Sequence, residues 1–275
     1  MQFIEIEIDS NIPSGNCVLL APLPFGHWGQ QSRLGETKGL GARYEVKALN
    51  SEQRAVVWHR GDDGPIELRY DVNEGDHPVA SHVWQVQENR FTRADVSLID
   101  LAVEITADCK NESEKVFALI EYAAEMFGYD HPEERFNEGM ESVPAVCGTT
   151  KGSCVDINTF LLAAARSLSI KGQYIAGYWF HPEKTETLDM HCWLAFEADG
   201  ERVFWDLAHH LKWGVPELAP GLNPAGGRRV AMSCGRGLTF ETPNGIVEVS
   251  HFSEPIWILP DGRQHRPNLR IKVAD

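Results

Sequence analysis

A single change of hydrophobic period near residue 106 constrains this chain more than any other feature. Upstream, Phe3-Ile4-Glu5-Ile6-Glu7-Ile8 alternates apolar and polar side chains at period two, the spacing of a strand with one buried face. Further strand-like runs follow at Tyr44 to Leu49, Ala55 to Trp58, Ile66 to Val72 and Val79 to Gln87, separated by turn-forming stretches such as Asp62-Asp63-Gly64-Pro65 and Asn73-Glu74-Gly75-Asp76. No strong helical stripe interrupts them. The spacing predicts an antiparallel, sandwich-like β domain over residues 1–105.

Downstream the period becomes helical. Val116, Phe117, Ile120, Ala123, Ala124 and Phe127 recur at helical spacing behind a cap-like Asn111 and Glu114, with Gly128 as the expected stop. Ser153-Cys154-Val155-Asp156 fits a Ser-x-x-Asp capping box, and Ile157, Phe160, Leu161, Ala164 and Leu168 carry the stripe on toward Gly172. Strand-like Gln173 to Phe180 follows, then Met190 to Ala198 and Glu201 to Leu207 around Asp199-Gly200, the strongest short hairpin signal. Thr239 to Val249 and Pro255 to Leu259 suggest further strands. The order of β domain, helix, helix, strands reads as α+β, with a second domain over residues 106–275.

The hairpin register can be worked out on paper. With Asp199-Gly200 as a two-residue turn, Ala198 opposes Glu201, Trp193 opposes Asp206 and His191 opposes Ala208. His191 and Asp206 then become diagonal neighbours on one face, while Cys192, Leu194, Phe196 and Phe204 form an apolar face opposite. Cys154 is the first residue of the second helix, where orphan N–H groups and the positive end of the dipole favour a thiolate. A nucleophilic thiol needs an imidazole, and the imidazole an orienting acid. His191 and Asp206 are of those types. Taken singly, each has a plainer reading: a buried small hydrophobe, a satisfied strand histidine, a turn or cap aspartate.

Charge and cysteine usage exclude several classes. With 25 basic against 40 acidic residues the net charge is −15, a field that repels nucleic acid and anionic lipid. The N-terminus shows no basic segment followed by an apolar one, and no apolar run approaches the ~20 residues of a membrane span, so a cytoplasmic chain without membrane insertion is expected. Six cysteines without CxxC pairs argue against a disulfide framework or zinc ribbon. His209-His210, with Cys192 or Cys234, invites a zinc reading, but adjacent strand residues point to opposite faces. A Cys147–Cys154 redox pair is a further, weaker reading. Trp179, Trp193, Trp205 and Trp213 are read equally as cleft or core, and Phe25 to Gln31 as a loop with a smaller prospect of lining the cleft.

The block Gly152 through Leu168, then Gly177-Tyr178, then His191-Cys192-Trp193-Leu194-Ala195-Phe196, then Val203-Phe204-Trp205-Asp206 resembles the transglutaminase-like superfamily, a rearranged relative of papain-like cysteine proteases. The resemblance spans about residues 112–210 with its blocks in the family's order. It implies Cys154 as nucleophile, His191 as general base and acid, and Asp206 as orienter. Ser169-Ile170-Lys171-Gly172 departs from a common Gly-Ile-Pro-Ala type segment, without touching the triad. The N-terminal β region is similar in character to one that many bacterial members carry.

The implied chemistry is acyl transfer through a thioester, with a peptide or protein carrying an amide or carboxamide as partner. Hydrolysis by a cysteine protease or amidase is the first expectation and transamidation the second. Arylamine acetyl transfer uses the same triad, but no basic cluster suited to acetyl-CoA is visible. From another class, a non-catalytic interaction module would keep the fold without the chemistry. No cofactor or metal is expected, and no EF-hand-like calcium loop is present.

Overall fold

The structure is a computed structural model that describes residues 2–9, 15–24, 29–61, 64–75, 84, 88–188, 190–221, 224 and 226–274. In chain order the elements begin with β1 (Gln2–Ile8), β2 (Val18–Leu23), β3 (Gln30–Lys38), β4 (Leu40–Lys47), β5 (Arg54–Arg60), β6 (Ile66–Glu74), α1 (Val96–Ile105), α2 (Glu112–Met126), β7 (Phe127–Tyr129), β8 (Thr150–Gly152) and α3 (Cys154–Ser167). They continue with β9 (Lys171–Phe180), β10 (Glu186–Thr187), β11 (Met190–Ala198), β12 (Glu201–Trp205), α4 (Leu207–Trp213), β13 (Arg228–Cys234) and β14 (Leu238–Thr242). The last are β15 (Gly245–Val249), β16 (Ile256–Ile258), β17 (Gln264–His265) and β18 (Leu269–Ala274). The fold is α+β. Two compact units emerge, residues 1–86, 176–191 and 227–275 in one, 87–175 and 192–226 in the other.

The first unit holds two five-stranded sheets, ordered β10-β18-β1-β6-β3 and β17-β16-β2-β5-β4. The period-two residues Ile4, Ile6 and Ile8 of β1 bury against Leu19 and Ala21 of β2, Val56 and Trp58 of β5 and Leu68 and Tyr70 of β6. The other face of β2 and β5, through Val18, Leu20, Ala55 and Val57, buries against Phe240 and Val247 of the β14–β15 hairpin. Since β2 is covered on both faces, its sequence VLLAPL lacks alternation and gives no strand period. The expected strand at Val79 to Gln87 lies outside the described residues apart from Trp84, and Phe25 to Trp28 lie outside them too.

The division of the chain differs from a 105/106 boundary in two respects. Residues 227–275 cluster with the N-terminal strands because β18 pairs with β1 from Phe3↔Ala274 to Ile8↔Leu269, and β16 pairs with β2. Pairing between opposite ends of a chain leaves no local signal. The helix α1, upstream of residue 106, belongs to the second unit. It is capped by Asp95, whose carboxylate accepts the Leu98 N–H. Val96 and Val103 on α1 are 72% and 55% exposed, so its apolar residues blur the stripe that would reveal a helix.

In the second unit α3 is buried along most of its length, from Cys154 to Ala165. Its buried stretch is mostly apolar but also takes in Asp156, Asn158 and Thr159, and the helix serves as the unit's centre. Tyr122 of α2 stacks on Phe160 at 6.2 Å, and Phe127 meets Phe160 edge-on at 5.6 Å. Phe127 opens strand β7 rather than closing the helix, so α2 ends one residue short of the expected Gly128 stop. At the β11–β12 turn, Asp199 and Gly200 both take positive φ (54° and 82°), the requirement of the tightest hairpin turn. This fixes the register Ala198↔Glu201 through Leu194↔Trp205. Asp199 also accepts the N–H groups of Glu112 and Ser113, while the Glu112 carboxylate accepts the Asp199 N–H, so the turn caps α2.

Candidate active site

Cys154 opens α3 one residue after its N-cap, Ser153. The capping box is complete: Ser153 Oγ accepts the Val155 N–H at 3.2 Å, and Asp156 Oδ2 accepts the Ser153 N–H at 2.9 Å. Arg135, from the segment between β7 and β8, donates to both Ser153 Oγ and Asp156 Oδ2 at 2.6 Å. The Asp156 carboxylate is fully buried, so this pairing offsets an otherwise costly desolvated charge. Gly152 is required just upstream: a Cβ there would lie 2.9 Å from both Asp156 Cβ and Phe127 Cδ1. The helix start that presents Cys154 is therefore locked from three directions. Neither Arg135 nor Gly152 stood out as a site residue in the sequence; only the capping box signalled the locked start.

Asp206 is the second fixed point. Its side chain is wholly buried and caps α4, Oδ1 accepting the His209 N–H at 3.3 Å. Its Oδ2 lies 2.9 Å from His209 Nδ1. The His209 ring in turn packs against Trp213, centroid to centroid 4.5 Å. His191 is buried in β11, and among the described residues the donor atoms of His191, Asp206 and His209 lie within 4.8 Å of one another.

The paper register holds as far as Leu194↔Trp205 and then stops. Asp206 leaves the ladder with φ −131° and ψ 64°, and Leu207 begins a helix, so the expected oppositions of Trp193 to Asp206 and His191 to Ala208 do not form. The capping preference of aspartate overrides the strand here. His191 and Asp206 nevertheless come together. His209 and His210 lie on α4, not on a strand, which removes the alternation argument applied to them. His209 reaches Asp206; Cys234 lies in β13 and Cys192 in β11, neither in the three-residue group. That group has two imidazoles and one carboxylate, a donor set suited to zinc, and within it Asp206 and His209 are directly paired.

Cys192 is the residue whose role the sequence most understated. It sits on the expected apolar face of β11 and is fully buried, yet what it meets there is a polar residue of α3. Asn158, one turn along α3 from Cys154, donates its Nδ2 to Cys192 O at 3.0 Å and to Cys192 Sγ at 3.4 Å. Burial pushes the Cys192 thiol well above its ordinary range, and the neighbouring Cys154 adds to this. Trp193 and Trp205 are core residues, whereas Trp213 is exposed.

The family model for the transglutaminase-like superfamily matches residues 99–206, from within α1 to the N-cap of α4. The chain thus carries a transglutaminase-like core, with the capped helix α3 and the β11–β12 hairpin inside it. No curated protein matches. Among solved structures it is similar to a provisionally assigned cysteine protease from Cytophaga hutchinsonii, at 14% identity over 99% of this chain and 97% of that one, with a TM-score of 0.49. It is also similar to the periplasmic domain of TgpA from Pseudomonas aeruginosa, bound to ethylmercury, at 13% identity over 77% of this chain and 91% of that one, TM-score 0.35. Among the described residues no helix is long and apolar enough to cross a membrane.

Proposed function

We propose that this chain is a cysteine-dependent acyl-transfer enzyme that hydrolyses a peptide or amide bond, with Cys154 as nucleophile, His191 as general base and acid, and Asp206 as the group that orients His191. The observation that carries this reading is the placement of Cys154 as the first residue of a locked, buried helix in a transglutaminase-like core. A helix N-terminus lowers the cost of a thiolate and supplies a backbone N–H toward a developing oxyanion.

In the proposed cycle His191 takes the Cys154 proton and the thiolate adds to the carbonyl carbon. Collapse of the tetrahedral adduct expels the amine, which receives the proton from His191, and leaves a thioester. Water, deprotonated by His191, then attacks the thioester; the carboxylic acid departs and the thiol is restored. No step needs a metal or organic cofactor.

The test is release of a fluorescent amine from peptidyl coumarin amides, with hydroxylamine as a competing acceptor. Amine release that yields hydroxamate, and that vanishes in Cys154→Ala and His191→Ala, supports the reading. Incorporation of an added primary amine in preference to hydrolysis replaces hydrolase by transamidase. Equal background release in all three proteins contradicts both.

A further inference from the structure

The mechanism leaves one nucleophilic group unused, and it packs on α3 one turn from the proposed nucleophile. Cys192 is buried in β11, and no disulfide engages it or Cys154. Its Sγ is held against α3 by Asn158, which lies four residues after Cys154 and so on the same helix face. Cys154 adds to the upward push that burial gives the Cys192 thiol. A core position filled by Cys rather than Ala or Val is unremarkable in general, but here it places a second sulfur beside a thiol at a helix N-terminus.

We propose that Cys154 and Cys192 form a reversible intramolecular disulfide when the protein meets a hydroperoxide, and that Cys192 thereby serves as the resolving thiol that protects Cys154 from irreversible oxidation. The inference rests on the reading of Cys154 as a reactive nucleophile.

The chemistry balances in two steps. The Cys154 thiolate attacks the distal oxygen of hydrogen peroxide; the O–O bond breaks, hydroxide leaves and takes up a proton as water, and Cys154 becomes a sulfenic acid. The Cys192 sulfur then attacks the Cys154 sulfur. The S–O bond breaks, the S–S bond forms, and the Cys192 proton departs with the hydroxyl as a second water. The two thiols lose two electrons and the peroxide gains them. An added dithiol reverses the bond. Because burial holds Cys192 as a protonated thiol, it competes poorly for peroxide itself and acts second.

Cleavage after Lys151, Arg166, Lys184 and Arg202 places Cys154 and Cys192 on separate tryptic peptides, 152–166 and 185–202, and Cys147 on a third. The full chain is treated with stoichiometric hydrogen peroxide, alkylated, digested and mapped by mass spectrometry, with no reducing agent. The expected product is the 152–166/185–202 cross-linked peptide, lost on dithiothreitol treatment. In Cys192→Ser and Cys192→Ala, Cys154 sulfinic acid is expected to rise about 5-fold or more over wild type, because no thiol intercepts the sulfenic acid.

Separate alkylation of both cysteines after peroxide treatment, or a cross-link from Cys154 to Cys147 instead, overturns the proposal. The wild-type map stands even if a variant folds poorly, and it requires no substrate. A cross-link found together with slow Cys154 labelling at pH 6 keeps the disulfide while removing the catalytic reading; rapid labelling without a cross-link does the reverse.

Discussion

Oδ2 of Asp206 lies 2.9 Å from Nδ1 of His209, three residues ahead on α4. One carboxylate thus caps a helix, holds the ring of His209 and lies in the same group as His191. Under the proposed function His209 is a positioning residue for Asp206, acting through it on His191. His209→Ala is expected to slow Cys154 alkylation and amide turnover about 10- to 100-fold, the scale of a small misplacement in a catalytic constellation. His209→Asn, which can still donate to the carboxylate, is expected to recover part of this. A pH profile of alkylation in both variants checks it, since a merely structural loss would lower amplitude without altering the profile.

Asp206→Asn separates orientation from capping. Asparagine is as good an N-cap as aspartate, so the unfolding free energy is expected to stay within about 0.5 kcal/mol of wild type. Turnover is expected to fall about 10²- to 10⁴-fold, the usual scale of a general acid–base contribution. Denaturant melts and amide hydrolysis measured on the same preparation test the two halves together.

Arg135 is the external lock on the start of α3. Removing it in Arg135→Met leaves the buried Asp156 carboxylate without its cation, at an expected cost of about 1–3 kcal/mol, below the ~3–5 kcal/mol of a broken fully buried pair because Arg135 is a third exposed. Adding Asp156→Asn is expected to recover part of that cost. Urea unfolding of the two variants, compared by midpoint, is the check.

The Asp199 cap on α2 predicts a pH signature. Hydrogen bonds from Ser113 first, then from the Glu112 N–H, hold the Asp199 carboxyl below the ordinary aspartate range. A depressed folded value means that the stabilisation is present in full above the unfolded value of about 3.9 and is lost as pH falls through the folded one. The stability difference between wild type and Asp199→Asn is therefore expected to be constant from pH 7 to 5 and to shrink toward pH 3. A difference unchanged at pH 3 would show that the carboxylate charge has no part in the cap.

What could be read in the sequence was what local rules govern. The Ser153–Asp156 box, the α3 stripe and the Asp199-Gly200 turn each announced themselves, and the turn alone fixed the pairing down to Leu194↔Trp205. What could not be read was set by tertiary context. Strand β2 is apolar on both faces, α1 exposes apolar residues, and α4 is only 7 residues long, beginning where a cap aspartate interrupts an otherwise sound strand. The β1–β18 pairing joins residues from the two ends of the chain. Cys192 was legible as a core residue but not as a neighbour of Cys154, because which helix end covers a strand is a packing outcome.

The central claim, that Cys154 is an activated nucleophile served by His191, is tested most directly by the rate of iodoacetamide labelling across pH, resolved by peptide mapping, in wild type and His191→Ala. Labelling of Cys154 that is fast at pH 6 in wild type, exceeds that of the other five cysteines and collapses in the variant is the predicted result. Slow labelling in both proteins, rising only near the ordinary thiol value of about 8.5, would contradict it.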